Sequence, residues 1–430
     1  MQMKNKNISE TEWRKLDNTA NIFPIISSRA YSSVYRVAVR LKQEINGEML
    51  QEALIKTLPW FSSFSVKLKR GAFWHYFEAN KKQPQVEKEQ IYPCAFIDPN
   101  TNNQFLFKVT YFKKRINLEV FHAITDGTGA LKFLKALTYN YIKLVYKDLP
   151  VNALDIPVVD VVSDIEDSYH KNYRKISYAK LKTKRAYKLG GDKFPVFTMS
   201  VIHGTVKIQA ILDLCRQKNV SLTQYISTLI IWCIYKEYMN EQTHKNPIQV
   251  NLPVNLRQFF NSTTEANFFS YINVGITISK SEYTFDEMLN IISEQFKEQL
   301  TKENLSHTIS SNVSTERNIF VRFAPLVVKN LGVKIAYISS TKANTVVLSN
   351  LGRIEVYDEF KKYIDGFEAL IGVSKSEPIK CSICSFDEKL VFTFTSILRK
   401  PYLQRAFFRH LTDAGIDVIV ESNGVNNENL

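Results

Sequence analysis

Phe121-His122-Ala123-Ile124-Thr125-Asp126-Gly127 joins two segments of different periodicity. The residues before it, Ile116 to Phe121, are a run of strand formers. Those after it, Gly129 to Tyr146, place Ala130, Leu131, Phe133, Leu134, Leu137, Tyr141, Leu144 and Val145 at helical spacing. His122 thus stands where a strand gives way to a helix, on a loop that a rigid scaffold can hold against a cleft. Its unperturbed pKa suits base chemistry near neutrality. Three readings of the His-x-x-x-Asp-Gly set stay open: a structural pair, two metal ligands, or a catalytic base. No third ligand cluster lies nearby, and Gly127 argues against a helix running through both residues, so no metal is expected. The glycine also admits a tight backbone approach that a side chain would obstruct.

Outward from this loop, the first half reads as an α/β unit. Tyr35 to Leu41 suits a strand and Gly47 to Leu58 a helix, while Val66–Lys69 and Phe73–Glu78 suit a hairpin through Gly71. Phe105 to Phe112 is a further strand, which implies a mixed sheet covered by helices on one side. Residues 150–195 break the rhythm, with Pro150, Pro157, the acidic Asp160, Asp164, Glu166 and Asp167, a basic run, and Gly190-Gly191. The second half repeats the order. Phe197–Val206 is strand-like and Lys207–Arg216 helical, Ser221-Leu222-Thr223-Gln224 forms a capping box, and Ile248–Val254 is another strand. The expected division is 1–165, a 166–195 crossover, and 196–430.

Composition bounds the rest. A chain of 430 residues exceeds one ordinary core, and 45% hydrophobic residues are enough to fill two. Met1 to Ser9 are polar with no apolar stretch behind them, and the apolar run Leu229–Tyr235 is too short to span a bilayer, so a cytoplasmic protein is expected. Cys381 and Cys384 form a C-x-x-C, but they lie in an apparent hairpin turning at Asp387-Glu388-Lys389, where residues three apart face opposite sides. The net charge of +14 fits nucleic acid, an anionic membrane surface or an acidic ligand. Much of it falls between Lys171 and Lys193 (Arg174, Lys175, Lys180, Lys182, Lys184, Arg185, Lys188), interleaved with Tyr173, Tyr178 and Tyr187. Single-stranded nucleic acid is one partner of such a run. No nucleic-acid module accompanies it, and nucleic acid is not the expected partner.

The motif resembles that of the coenzyme A-dependent acyltransferase superfamily, and within it the microbial alcohol acetyltransferase-like proteins. The resemblance runs from Trp13-Arg14-Lys15-Leu16-Asp17-Asn18 and Ile22-Phe23-Pro24, through Gly71-Ala72-Phe73-Trp74 and the His122 motif, to Val254-Asn255-Leu256-Arg257 and Ser349-Asn350-Leu351-Gly352. It implies two chloramphenicol acetyltransferase-like halves, each a mixed β-sheet with covering helices, around a central tunnel. It also implies transfer of an acyl group, such as acetyl, from acyl-coenzyme A as co-substrate to a small alcohol or amine. No permanently bound cofactor is implied. In the superfamily the histidine is the base, and the matching aspartate turns from it toward an arginine, for which Arg257 is the candidate. Ser349 or Asn350 would serve the oxyanion or the acceptor tunnel, whereas read locally they begin an Asn-Leu-Gly turn. Gly129 and Thr128 would shape the donor channel. A basic rim would suit either coenzyme phosphates or an acidic acyl carrier protein. Condensation domains carry two adjacent histidines where this chain has Phe121-His122. A carrier-protein-dependent, condensation-like enzyme and a non-catalytic binding protein on the same fold are the alternatives. Nothing in the residues names the acceptor.

Overall fold

The computed structural model describes residues 13–90, 92–156, 165–175 and 184–425. Met1 to Ser9, Asp160, Asp164, Tyr178, Lys180 and Lys182 lie outside them.

In chain order the first-half strands are β1 (Trp13–Lys15), β2 (Val34–Leu41), β3 (Val66–Arg70), β4 (His75–Ala79), β5 (Val86–Lys88), β6 (Phe107–Phe112) and β7 (Arg115–Phe121). The second half supplies β8 (Ser200–Lys207), β9 (Ile248–Asn255), β10 (Phe269–Ile276), β11 (Val346–Arg353), β12 (Ile364–Ile371), β13 (Ile379–Phe386), β14 (Lys389–Ser396) and β15 (Ile419–Ser422). They build a small sheet, β1-β4-β3, and two mixed sheets, β12-β2-β7-β6-β5 and β10-β9-β11-β13-β14-β8-β15. One strand crosses the expected division by chain position. β12, from the second half, pairs antiparallel with β2 of the first, Phe367 opposite Val39.

Alternation along β2 explains how the five-stranded sheet faces two environments. Tyr35, Val37, Val39 and Leu41 enter an apolar core shared with the helices Gly47–Thr57 and Gly127–Val145. Arg36 and Arg40 alternate with them and meet acids on neighbouring strands: Arg36 with Glu119 at 2.8 Å and Arg40 with Glu368 at 2.6 Å. Burial opposes ionisation of Glu368, but His203, Arg115 and Arg40 outweigh it and bring its pKa down to about 2. The seven-stranded sheet has its own apolar core, with the Leu222–Glu237 and Phe285–Gln299 helices against it. The capping box read at Ser221 and Gln224 is formed, each side chain meeting the other's backbone N–H.

The two sheets meet at β12 and β13. There β12 is the edge strand of its sheet, so the carbonyls on its outer side lack a ladder partner, and side chains of the other sheet supply donors. Ser382 donates to Ala369 O, Thr395 Oγ1 to Ile371 O at 2.8 Å, and Cys384 Sγ to Phe367 O at 3.3 Å. Along β13, Cys381 points into the core of its own sheet and Cys384 into the core of the other, as the hairpin reading expects of residues three apart. The basic crossover departs from a solvated run at one point. Lys188 is half-buried, and its ammonium donates to the carbonyls of Thr341, Asn344 and Ser376, closing the end of the Leu326–Thr341 helix.

Candidate active site

A cavity of about 1450 Å³ lies where the sheets diverge, walled by β2, β12 and the His122 loop on one side and by β9, β10, β11 and β13 on the other. His122 directly follows β7. Its backbone N–H is bonded to Ser33 O at 2.9 Å, which ties the loop's start to the strand next door. The ring stacks on Phe23 with centroids 4.4 Å apart and planes 11° apart, and Tyr35 and Phe269 close its other sides. Burial lowers its pKa, offset in part by hydrogen bonding to its own backbone carbonyl, by the Asp126 charge and by Asn267. The imidazole is therefore neutral at pH 7.

Asp126 does not hold His122. It caps the Gly127–Val145 helix, Oδ1 accepting from Thr128 N at 3.1 Å and Gly129 N at 3.4 Å. Its other oxygen accepts from Arg257 Nη1 at 2.8 Å and Phe268 N at 3.0 Å. Four donors thus occupy the carboxylate. Arg257, just after β9, spends the rest of its fork on Thr264 O (2.8 Å) and Ala266 O (2.7 Å). The pair joins the two halves and fixes the 264–268 loop.

That loop delivers a residue to which the sequence reading gave no role. Asn267 Oδ1 stands 3.1 Å from His122 Nδ1, and Asn267 Nδ2 donates to Asp17 Oδ2 at 3.1 Å. Asn267 Nδ2 also donates to Ala123 O at 3.5 Å, and a carbonyl only accepts, so the Asn267 amide presents its oxygen to the imidazole. Nδ1 then carries the ring proton, and Nε2 is left as the basic nitrogen. Asp17 also accepts from Ala20 N at 2.7 Å, yet burial raises its pKa to about 7. Asp17 and Phe23 sit in segments that carry the resemblance. Asn267 had no local signal, being one asparagine before an apolar strand.

The two glycines differ. A Cβ on Gly127 would come 2.7 Å from Leu351 Cδ2, whereas on Gly129 it would meet Thr125 Oγ1 and, at 2.7 Å, Glu265 O. Thr128 borders the cavity and accepts from Asn255 Nδ2 at 3.4 Å. The 349–352 segment is not a turn. β11 continues to Arg353, with a register shift between Asn350 and Arg353 and Gly352 at φ +72°. Ser349 and Asn350 both line the cavity, but Asn350 is engaged, donating to Thr223 Oγ1 at 3.0 Å and accepting from Gly352 N at 2.8 Å. Among the described residues the cavity's basic side chains include Lys132, Lys135, Lys334, Arg353 and Lys375, and none comes from the 171–193 run. These cations stand on segments other than the described part of that run.

No protein-family description matches this chain, and no curated protein sequence matches it. Solved structures do. TRI101 of F. graminearum, complexed with coenzyme A and deoxynivalenol, superposes with a TM-score of 0.62 at 10% identity, covering 94% of this chain and 99% of that one. The wax ester synthase/diacylglycerol acyltransferase of Marinobacter aquaeolei VT8 gives 0.56 at 11% identity, covering 94% and 100%. TRI3 trichothecene 15-O-acetyltransferase of Fusarium sporotrichioides gives 0.56 at 10%, covering 94% of each chain. At these identities the likeness is one of fold, and it extends over nearly the whole length: the chain has the two-domain chloramphenicol acetyltransferase-like fold.

Proposed function

We propose that the protein transfers an acyl group from a coenzyme A thioester to the hydroxyl or amine of a small acceptor, with His122 as the base. The observation that carries this is the oriented, neutral imidazole facing a cavity large enough for two substrates. Nε2 takes the acceptor's proton as its oxygen or nitrogen attacks the thioester carbonyl. The tetrahedral oxyanion collapses, the C–S bond breaks, and the imidazolium returns the proton to the leaving thiolate. No acyl-enzyme is required, and Gly372-Val373-Ser374-Lys375-Ser376 lacks the closing glycine of a serine nucleophile elbow. Ser349 is the better donor to the oxyanion, because the Asn350 amide is already committed. Lys132, Lys135 and Arg353 suit the phosphates of the donor. The halves remain 1–165 and 196–430, joined by 166–195, with β12 lent by the second to the first. Acetyltransferase and wax ester synthase relatives in fold favour an alcohol acceptor.

The test is thiol release from acetyl-coenzyme A against a panel of alcohols and amines. His122→Ala should lower turnover by about two to four powers of ten with donor binding retained. Full activity in that variant removes the base assignment. Tight donor binding with no thiol release for any acceptor favours the non-catalytic alternative.

A further inference from the structure

The Leu326–Thr341 helix is apolar on a face that water reaches as well as on the face that packs inward. Its inward face carries Leu326, Val333 and Tyr337, together with Lys329, whose ammonium donates to Phe73 O and Arg322 O, both at 3.0 Å, and lies 3.4 Å from the centre of the Trp74 ring. Its outward face carries Val327, Leu331, Ile335 and Ile338, between 54% and 66% exposed and spaced four, four and three residues apart. That spacing is one stripe of a helix. The preceding short helix, Ile319–Phe323, adds Phe320 at 84% and Phe323 at 65% exposure. Phe73, itself 45% exposed, adjoins them, because Leu326 N is bonded to Ala72 O. An apolar surface this continuous on a water-soluble face marks an interaction site.

Charge identifies what covers it. From Arg317 to Ile354 the sequence contains no aspartate or glutamate, while Arg317, Arg322, Lys334 and Lys342 are exposed along it. Glu316, the acid next in line, is bound by Asn18 and His170. A second copy of the chain docking here would set these cations against their own counterparts. A surface of anionic lipid meets both needs, offering phosphates to the cations and the acyl boundary to the stripe. Among the described residues no helix is long and apolar enough to cross a membrane, so the contact is with the surface. We propose that the 319–338 face seats the protein on an anionic lipid bilayer. Lys334, Tyr337 and Ile338 also line the cavity, so a seated bilayer lies beside the site. The inference stands apart from acyl transfer, and its readout is binding alone.

The full chain is to be cosedimented with vesicles of phosphatidylcholine and with equimolar phosphatidylcholine–phosphatidylglycerol. Association with the anionic vesicles, weakened by salt, is expected. A Leu331→Ser, Ile335→Ser, Phe320→Ser variant, which removes only exposed side chains, should lose it while melting as the parent does. Arg322→Gln with Lys334→Gln should weaken it roughly fivefold for each cation removed. The proposal is overturned if the parent ignores anionic vesicles, or if the serine variant binds as well as the parent. It is equally overturned if the parent is a dimer that the serine changes dissolve and no vesicle is bound.

Discussion

Asn267 faces His122 in one sense, because its amide nitrogen also donates to the Ala123 carbonyl, which can only accept. Flipping the amide would set its oxygen against that carbonyl. Asn267→Ala should therefore free the ring to exchange tautomers, cutting kcat by about tenfold or more while KM for the donor barely moves. Nitrogen NMR of the His122 ring reads the tautomer directly, and an unchanged spectrum would mean that Asn267 does not orient it. Asp17 makes a separate prediction through stability. Its pKa of about 7 in the fold lies above the ordinary 3.9, so the folded state binds the proton more tightly. Its contribution is full below about pH 4 and is lost as pH rises toward about 7, by at most roughly 4 kcal/mol. Asp17→Asn should abolish that slope in denaturant unfolding between pH 4 and 8. Its baseline should be lower, because an amide nitrogen would face the N–H groups of Asn267. For His122 the sign in activity is opposite. A pKa lowered by burial means that the rate climbs with pH and levels off at a lower pH than an ordinary histidine would give.

The strand-loop-helix unit at 115–145 depends on contacts from an element far away in sequence. Removing Asp126 takes away a helix cap and strands Arg257, and removing Arg257 strands Asp126. Each loss should cost about 3–5 kcal/mol. The two losses should not add in the double variant, and additive, small shifts in urea midpoints would dissolve the clasp. The glycines rank themselves by what stands opposite. Gly127→Ala meets only the tip of a flexible leucine, so it should cost under about 1 kcal/mol, with its effect falling on the 349–352 segment. Gly129→Ala drives a methyl onto the Glu265 carbonyl and the Thr125 hydroxyl, and overpacking of this kind costs about 1–3 kcal/mol. Comparing the two melts decides whether the first or the second glycine of Gly127-Thr128-Gly129 is the constrained one.

Across the whole molecule, the positive charge divides between cations that line the cavity and exposed ones that do not. Raising salt should weaken apparent donor affinity more than saturated turnover, because exposed attractions are screened over about 8–10 Å at ordinary ionic strength. Neutralising Lys132 and Lys135, which border the cavity, should reproduce the loss. Neutralising Lys184 and Arg185, which are exposed and line no part of it, should leave donor affinity alone. The reverse pattern would return the donor to the crossover. The cavity itself belongs to neither half, since its walls come from both sheets and from the junction where β12 crosses between them.

What the sequence determined by itself is the local order. The strand ending at Phe121, the helix after Gly127, the capping box at Ser221 and the hairpin at 380–394 all follow from periodicity and turn chemistry within a dozen residues. The motif around His122 and the order of the supporting segments were legible too, and they pointed to the fold. Only the tertiary structure decided which residues meet. That Asp126 saturates its carboxylate on a cap and an arginine, that Asn267 turns the imidazole, that β12 joins the other half's sheet, and that the 319–338 stripe faces outward are pairings between distant segments. Periodicity says which face of an element is apolar. It carries no information on which partner covers that face, because register and burial are settled by contacts between elements rather than within them.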